Sequence, residues 1–175
     1  MKATIVYIID PDTQRVLLAK KRRKIGVGKW FGYGGKLEPQ DNGDLDACIY
    51  RETLCETEGV IILDREKLER VALIHFYNGE EKIPGKDEPI TVLCYRYFIP
   101  IREIPPTTDE METPTLFPLN ELPEQEMKMG DMLIVPNILA GIPRTGYIHF
   151  TKDESRVIDA QLSDCTEQFL KDFVA

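Results

Sequence analysis

Short runs of hydrophobic residues alternate with polar segments along most of the chain, and six of these runs have the length of β-strands. Their content of Val, Ile, Tyr and Phe is typical of strands. Asp10-Pro-Asp-Thr-Gln separates the first two as a turn, and segment 83–89, with its glycine and two prolines, indicates a long loop before the fourth. The pattern therefore predicts hairpins, with strands at residues 3–10, 15–21, 71–78, 90–99, 146–151 and 156–161.

A polar segment between the second and third strands has the signals of an α-helix over about residues 44–58. Asp44 can accept hydrogen bonds from the first turn, where the negative charge of Asp46 is also favourable. Gly59 can end the helix in a left-handed conformation.

Two further helices are expected, one over the amphipathic residues 131–140 and one from residue 164 in DCTEQFLKDF. Pro105 and Pro106 are expected to end another strand, and the proline-rich stretch from 100 to 118 otherwise predicts loops rather than a domain linker. Together these elements predict a mixed α/β sandwich in a single domain over residues 1–175.

Glu52 and Glu56, in RETLCETEG, lie four residues apart on the expected helix. Such residues are about 40° apart around the axis, with Cβ atoms about 5–6 Å apart, so the two carboxylates can share metal ions. Magnesium prefers hard oxygen ligands of this kind. Glu58 would point away by more than about 100° and is not expected to be a ligand. Arg51 can orient the carboxylates through hydrogen bonds.

A glycine-rich turn, Trp30-Phe-Gly-Tyr-Gly-Gly-Lys36, precedes this pair by about sixteen residues. Gly32, Gly34 and Gly35 permit backbone conformations and close approaches that side chains forbid, and Lys36 follows them as a cation. This order of glycines, lysine and acidic helix predicts a divalent-metal site beside a phosphate cradle.

The segment GGKLEPQDNGDLDACIYRETLCETEGV resembles the Nudix box, whose pattern is G-x5-E-x7-R-E-U-x-E-E-x-G-U, with U an aliphatic residue. The similarity extends to RVLLAKKRRKIGVGKWFGYGGK, TDEMETPTLFPLNELP and GYIHF, which resemble the animal oxidised-purine nucleoside triphosphatases, MutT-like members of that family. The resemblance implies the Nudix fold, an α+β architecture in which helices sandwich a mixed β-sheet.

The resemblance also implies the chemistry of the site. Mg²⁺ or Mn²⁺ ions would be held by Glu52, Glu56 and the backbone carbonyl of Gly34, with Glu110 of the TDEM segment as a further ligand. Lys36 would bind phosphate. The metals would orient the polyphosphate and lower the pKa of a water that attacks phosphorus. Glu56 and Glu110 are both candidates for the base that accepts the water's proton.

The loop before Arg51 departs from the box pattern, because it is about two residues longer. Gly43 stands at the first glutamate position, and Asp41 or Asp44 is available as a substitute. The partner of Arg51 is therefore left open between these two acids.

The end of the acidic helix also departs from the pattern, since Cys55 replaces the first of the paired glutamates and one extra residue precedes Gly59. A hard magnesium ion prefers oxygen to a thiolate, and a helical cysteine is usually buried. Cys55 is therefore interpreted as a packing residue, and fewer carboxylates are expected at the metal site.

The base pocket of the resembling proteins is only partly retained. Phe31 stands at the position of an asparagine that binds the base in those proteins, and Lys128 replaces a tryptophan that stacks on it. Gly130 replaces one of two paired aspartates, and Asp131 remains as the other. Phe31 can stack on a base and Asp131 can accept a hydrogen bond from one. Phe31, Lys128 and Asp131 are therefore candidate substrate-binding residues.

The composition, with 42% hydrophobic and 30% charged residues, is ordinary for a soluble protein. The net charge of -8 argues against stable binding to nucleic acids or membranes, since both have negatively charged surfaces that bind basic proteins. The basic run Lys20-Lys21-Arg22-Arg23-Lys24 is a local exception. It is interpreted as a solvated strand end whose nearer members, Lys21 above all, attract substrate phosphates.

The cysteines lack the spacing and the histidine neighbours of a zinc site, which predicts reduced thiols in a cytoplasmic protein. The apolar stretch at the N-terminus is too short for a signal peptide, and no segment approaches about 18 apolar residues. His75 and His149 lie in strand-like runs and are assigned no catalytic role. The four cysteines are Cys48, Cys55, Cys94 and Cys165.

These observations lead to the hypothesis of a Mg²⁺-dependent enzyme that cleaves a nucleoside triphosphate to a monophosphate and pyrophosphate, with an oxidised purine as one candidate base. Two alternatives stay open. The substrate could be another nucleoside diphosphate-linked compound, such as a nucleotide sugar, or the chain could bind nucleotides with impaired hydrolysis, given Cys55 and the longer loop. The sequence indicates no oligomeric state.

Overall fold

A computed structural model describes residues 1–23 and 26–174. Within them, eight strands form one mixed sheet in the order β3-β2-β1-β5-β4-β7-β8, with β6 paired to β2. β1 and β5 are parallel, as are β4 and β7, whereas β1–β2, β4–β5 and β7–β8 are antiparallel hairpins. The strands are β1 (Lys2–Asp10), β2 (Arg15–Lys21), β3 (Trp30–Phe31), β4 (Glu69–Asn78), β5 (Ile90–Phe98), β6 (Met111–Pro118), β7 (Arg144–Phe150) and β8 (Val157–Asp164).

Helices cover both faces of this sheet. They are α1 (Leu45–Glu56), α2 (Val135–Ala140) and α3 (Glu167–Asp172). Along β1, Val6 and Ile8 face a core that includes Leu45 and Ile49 of α1, while Tyr7 and Ile9 face a second core that includes Ile138 of α2. Alternate residues of a strand point to opposite faces, so a strand buried on both sides is apolar throughout. The expected α+β sandwich is confirmed. None of the described helices is long and apolar enough to cross a membrane.

All six expected strands are present, with β2 matching at both ends and the ends of the others shifted by at most three residues. The helix expected over 44–58 is α1, and Asp44 caps it by accepting hydrogen bonds from the N–H groups of Asp46 and Ala47. The helix expected over 131–140 is divided into a 3-10 turn at Asp131–Leu133 and the short α2.

The expectation of loops between residues 100 and 118 is wrong for β6, and no strand ends at Pro105 and Pro106. β6 contains Pro114, which cannot donate a ladder hydrogen bond, and its pairing with β2 shifts register between Leu18 and Lys20. Thr113 has a left-handed φ of 53°. An outer strand with a bulge tolerates proline, and such a strand has weak signals in sequence.

Candidate active site

The glycine-rich turn lies against the backbone of β1. The N–H of Thr4 donates to the carbonyl of Gly35 over 2.9 Å, and the N–H of Val6 donates to the carbonyl of Tyr33 over 2.7 Å. A Cβ on Gly34 would lie 2.2 Å from the carbonyl oxygen of Thr4. Only glycine permits this approach, and it brings the peptide groups of Gly34 next to the C-terminal end of α1.

Glu56 is the residue of α1 that meets this turn. Its side chain is 3% exposed, and its Oε2 accepts a 2.8 Å hydrogen bond from the N–H of Gly34. Its Oε1 is 2.8 Å from Nζ of Lys21, and the same nitrogen is 3.5 Å from the carbonyl oxygen of Gly34. Burial raises the pKa of Glu56, although Lys21 and the N–H of Gly34 act in the opposite direction.

Arg51 joins the loop to the acidic helix, and its partner is Asp41. Nε and Nη2 of Arg51 are each 2.8 Å from a different oxygen of Asp41, and Nη2 is also 3.1 Å from the carbonyl of Lys36. These hydrogen bonds lower the pKa of the buried Asp41. Asp44 instead caps α1 and pairs with Arg65. The choice between the two loop acids is therefore resolved in favour of Asp41.

Glu52 is oriented from two sides. Its Oε1 accepts a 2.7 Å hydrogen bond from Nη1 of Arg51. A Cβ on Gly35 would lie 2.4 Å from the carboxylate carbon of Glu52, so the glycine leaves the space that this carboxylate fills. The two glutamates thus face the same turn, and each is bound to a cationic side chain.

These carboxylates open into a polar cleft of about 620 Å³, here called the acidic cleft. Glu110 also lines this cleft and is half-buried, and its N–H donates to the hydroxyl of Thr108 over 3.3 Å. The four predicted catalytic residues are therefore brought together. The lining residues are Arg22, Glu38, Arg51, Glu52, Cys55, Glu56, Glu58, Thr107, Thr108, Asp109 and Glu110.

The interpretation of Cys55 as a buried packing residue is wrong, because the thiol is exposed and lines the acidic cleft. Cys48 of the same helix is the buried one, and its thiol is 3.3 Å from the carbonyl of Lys36. The extra residue before Gly59 is accommodated by two consecutive left-handed residues, with φ of 49° at Glu58 and 78° at Gly59. Glu58 is exposed and also lines the cleft.

A second, largely apolar cavity of about 200 Å³ adjoins the glycine-rich turn and is here called the apolar cavity. Its lining includes Lys21, Lys36, Gly34 and Glu110, the last of which also lines the acidic cleft. It also includes Tyr7, Phe31, Phe76, Val92, Lys128, Asp131 and Ile134. Engineered cavities of about 150 Å³ bind benzene, so the volume suits a flat heterocycle.

Asp131 lines the apolar cavity and is 6% exposed. Its Oδ2 is buried without a hydrogen-bond partner among the described residues. Burial raises the pKa of Asp131 to about 7, although Lys128 acts in the opposite direction. A buried polar atom without a partner costs stability, so its presence in a cavity indicates a place for a ligand.

Lys128 also lines the apolar cavity, but its charge has partners. Nζ is 3.3 Å from the carboxylate of Glu154 and lies 4.7 Å and 5.4 Å from the ring centres of Phe150 and Phe76. Gly130 has a φ of +87°, and a Cβ there would lie 3.1 Å from the Phe150 ring. The second aspartate of the resembling pocket is therefore absent for a local reason, since a side chain would be strained and crowded here.

The two histidines line neither cavity, whereas Arg22 of the basic run lines the acidic cleft and Arg23 lines the apolar cavity. His75 hydrogen-bonds the Thr91 hydroxyl, and His149 hydrogen-bonds the Gly79 carbonyl. In the basic run, Lys20 pairs with Glu126, Arg22 with Glu112 and Arg23 with Asp109, while Lys24 lies outside the described residues.

Sequence reasoning missed Tyr7 and Phe76 as cavity residues and Glu154 as the partner of Lys128. Tyr7 and Phe76 belong to apolar strands and have the pattern of core residues. Only their packing, which leaves part of each ring facing the cavity, distinguishes them. Glu154 follows β7 in sequence and carries no motif.

The donor set fits a hard divalent ion. Glu52, Glu56 and the carbonyl of Gly34 supply oxygen ligands, and the ammonium of Lys21 already lies between two of them. In residues 1–23 and 26–174, however, no three Asp, Glu, His or Cys side chains converge as a metal site. The proposed ligands are present, but the carboxylates are bound to Arg51 and Lys21.

Known proteins are similar to this chain in both sequence and fold. Residues 1–137 match the NUDIX domain. The chain is 31% identical to the oxidized purine nucleoside triphosphate hydrolase of Danio rerio, over 84% of this chain and 85% of the relative. It is 27% identical to the Mus musculus protein of the same name, over 92% and 93%. A MutT protein from Bacillus halodurans has a similar fold, with a TM-score of 0.70 at 22% identity over 93% and 97% of the two chains.

Proposed function

Because the chain belongs to the Nudix family and is a Nudix hydrolase, we propose that it is a nucleoside triphosphate pyrophosphohydrolase that uses Mg²⁺ or Mn²⁺. Nudix proteins act on small nucleotides and generally need divalent ions. The observation that carries the finer proposal is the adjacency of the two cavities at Glu110. A base in the apolar cavity would lead its polyphosphate over Lys36 and into the acidic cleft.

The metal ligands proposed are Glu52, Glu56, the carbonyl of Gly34 and Glu110. When bound, divalent ions supply neutralisation of the polyphosphate and a more acidic bound water. Arg51 keeps Glu52 directed at the turn. Glu52, Glu56 and Glu110 line the acidic cleft, and Gly34, Lys21 and Lys36 line the adjoining apolar cavity, so the metal ligands and the phosphate-binding lysines would act on the same part of the substrate.

The reaction proposed cleaves the bridge between the α- and β-phosphates. The water oxygen forms a bond to phosphorus, the bridging P–O bond breaks with its electrons leaving on pyrophosphate or on the monophosphate, and a carboxylate accepts the water's proton. Glu56 and Glu110 are the two candidates for that base. Burial raises the pKa of Glu56, which makes its carboxylate a better proton acceptor than an ordinary glutamate. Glu110 lines both cavities and so would border both the nucleotide base and the phosphates.

The base-binding role is proposed for Phe31, Lys128 and Asp131. Phe31 would offer its ring for stacking, and Oδ2 of Asp131 would bind a polar edge of the base. Lys128, already paired with Glu154, would close the pocket as a cation instead of an aromatic ring. An oxidised purine is the base supported by the names of the two curated relatives.

A substrate screen tests this proposal. The protein is incubated with ordinary and oxidised-purine nucleoside triphosphates and with nucleotide sugars, with Mg²⁺ or Mn²⁺, and the products are separated by chromatography. Glu56→Gln protein serves as the control for contaminating hydrolases. Release of pyrophosphate and a monophosphate from a triphosphate is expected. Hydrolysis of nucleotide sugars alone would replace the proposal with that activity, and tight nucleotide binding without turnover would replace it with a binding function.

A further inference from the structure

The ammonium of Lys21 lies between two oxygen groups of the chain that could bind a cation. Nζ is 2.8 Å from Oε1 of Glu56 and 3.5 Å from the carbonyl oxygen of Gly34. The two side chains are 17% and 3% exposed. Glu56 and the Gly34 carbonyl are also two of the oxygen ligands proposed for the metal, so one lysine nitrogen faces half of the proposed ligand set.

An ammonium group and a divalent ion compete for these oxygens. Lys21 donates hydrogen bonds to the Glu56 carboxylate and the Gly34 carbonyl, and the same two groups are proposed to bind the metal. Two cations at the same pair of oxygens would also repel each other strongly in a site this shielded from water. Binding of a metal to Glu56 and Gly34 therefore requires Lys21 to leave.

The structure also offers a destination for the displaced ammonium. Lys21 ends β2 and lines the apolar cavity beside Lys36 and Arg23. A lysine carries its charge on a flexible four-carbon stem, so the nitrogen can move while the strand stays in place. Phosphate groups that entered between the cavity and the acidic cleft would give the ammonium new anionic partners.

From these contacts we propose that Lys21 is a positioning residue that holds Glu56 and the Gly34 carbonyl in place while the site is empty, and is exchanged for a divalent ion as the nucleotide phosphates bind. The proposal rests on the proposed function, because it concerns the same site. It makes metal and nucleotide binding mutually supportive, since the phosphates draw the ammonium away from the metal ligands and the metal releases the ammonium to bind the phosphates, and such coupling is reciprocal.

The first test is calorimetric titration of Mn²⁺ into nucleotide-free protein. Lys21→Met is expected to bind Mn²⁺ at least about tenfold more tightly than the wild type, because the competing cation is gone. Lys20→Met is the matched control. Lys20 is the neighbouring lysine of the same strand, but it pairs with Glu126 and lies over the ring of Trp30, 5.0 Å from its centre. Its loss is expected to leave Mn²⁺ affinity unchanged.

The same titration in Glu56→Gln protein assigns the effect to the shared oxygen. Adding Lys21→Met to Glu56→Gln is expected to change Mn²⁺ affinity much less than Lys21→Met does in the wild type, because the carboxylate for which the two cations compete has already been removed. Equal or weaker Mn²⁺ binding by a folded Lys21→Met protein would overturn the proposal. So would a gain in affinity that is the same with Glu56→Gln as without it.

A second measurement on the wild type covers the case in which Lys21→Met does not fold. Lysines labelled with ¹³C next to the ammonium are followed by NMR during titration with diamagnetic Mg²⁺. The Lys21 signal is expected to move in proportion to bound metal, and the Lys20 signal to stay. A Lys21 signal that is unchanged at saturation would refute the exchange even if the protein hydrolyses triphosphates, so this outcome is distinct from failure of the proposed function.

Discussion

Asp41 and Arg51 form a two-point ion pair that ties the loop before α1 to the helix that carries the acidic residues. Each of the two hydrogen bonds is 2.8 Å long, and the side chain of Asp41 is 2% exposed. The remaining guanidinium nitrogen reaches Glu52. The loop acid therefore determines where a proposed metal ligand points, although it does not itself line the acidic cleft.

Asp41→Asn is expected to destabilise the protein by about 2–4 kcal/mol, somewhat below the cost of breaking a fully buried pair because Arg51 is a quarter exposed. Urea unfolding measures this. Asp44→Asn is the control, since asparagine still caps a helix and the pair with Arg65 is exposed, so its cost should stay below about 1 kcal/mol. Similar losses of unfolding free energy in both variants would show that the ion pair of Asp41 stabilises the protein no more than an exposed one.

The pH dependence of this pair follows from the lowered pKa of Asp41. The stabilisation is fully present above the ordinary carboxyl pKa of about 3.9, and it is lost as the pH falls through the lower pKa of the folded state. The stability difference between the wild type and Asp41→Asn should therefore shrink on acidification below about pH 4 and stay constant between pH 5 and 7.

Glu52→Gln and Glu56→Gln are each expected to lower kcat by about 100-fold or more, because each removes a charged oxygen ligand and Glu56 is also a candidate base. Turnover with Mg²⁺ is measured on whichever triphosphate the screen identifies, with circular dichroism as a check of folding. Glu58→Gln, which changes an exposed carboxylate outside the proposed ligand set, should stay within a few fold of the wild type. A fall in kcat for Glu58→Gln equal to that for Glu56→Gln would contradict the assignment of Glu56 as a metal ligand.

Asp131 is expected to make stability depend on pH near neutrality. Its pKa is raised to about 7 in the folded state. Between about pH 4 and 7 the folded protein therefore keeps a proton on this carboxyl group that the unfolded chain has released. This contribution is fully present below about pH 4 and is lost as the pH rises to 7. Wild-type protein should therefore lose stability relative to Asp131→Asn between pH 4 and 7, and the difference should level off above that. A difference that does not change with pH would contradict the raised pKa, which ¹³C NMR of the carboxyl also measures.

Gly130→Ala is expected to be more damaging than Gly28→Ala. Both glycines have left-handed φ, +87° and +75°, which costs about 1–2 kcal/mol for a residue with a Cβ. No atom of the described residues lies within 4 Å of a Cβ at Gly28, whereas at Gly130 the Phe150 ring is 3.1 Å away. Urea unfolding should show an additional loss of about 1 kcal/mol or more at Gly130. Equal losses of stability in the two variants would mean that the Phe150 ring moves aside without a cost in free energy.

Phe31→Ala is expected to raise KM for a nucleoside triphosphate by about tenfold or more with little change in kcat, because stacking on a base is worth about 1–3 kcal/mol and does not involve the reacting phosphates. Phe98→Ala is the control, since Phe98 lines neither cavity. A fall in kcat without a rise in KM would place Phe31 outside base binding.

The fold was largely predictable because its central strands are apolar on both faces and the acidic helix has a good N-cap in Asp44. Two described strands were missed, the two-residue β3 at the start of the glycine-rich turn and β6. β6 contains Pro114 and a left-handed Thr113, and these residues are compatible with a strand only because β6 pairs with β2 alone among the described strands. Local sequence cannot report that pairing. Cys55 was misjudged for a related reason, since a helical wheel does not show which part of a face opens into a cleft.

The sequence by itself determined the family and the order of the active-site parts, because these depend on residue types at short spacings: glycines, then Lys36, then two glutamates one turn apart. Only the tertiary structure decided which loop acid binds Arg51, that Lys21 faces Glu56, and that Asp131 is buried with an unpaired oxygen. Lys21 and Glu56 are separated by 35 residues. Ion pairing and loss of solvent depend on which distant segments pack together, and no local pattern contains that information.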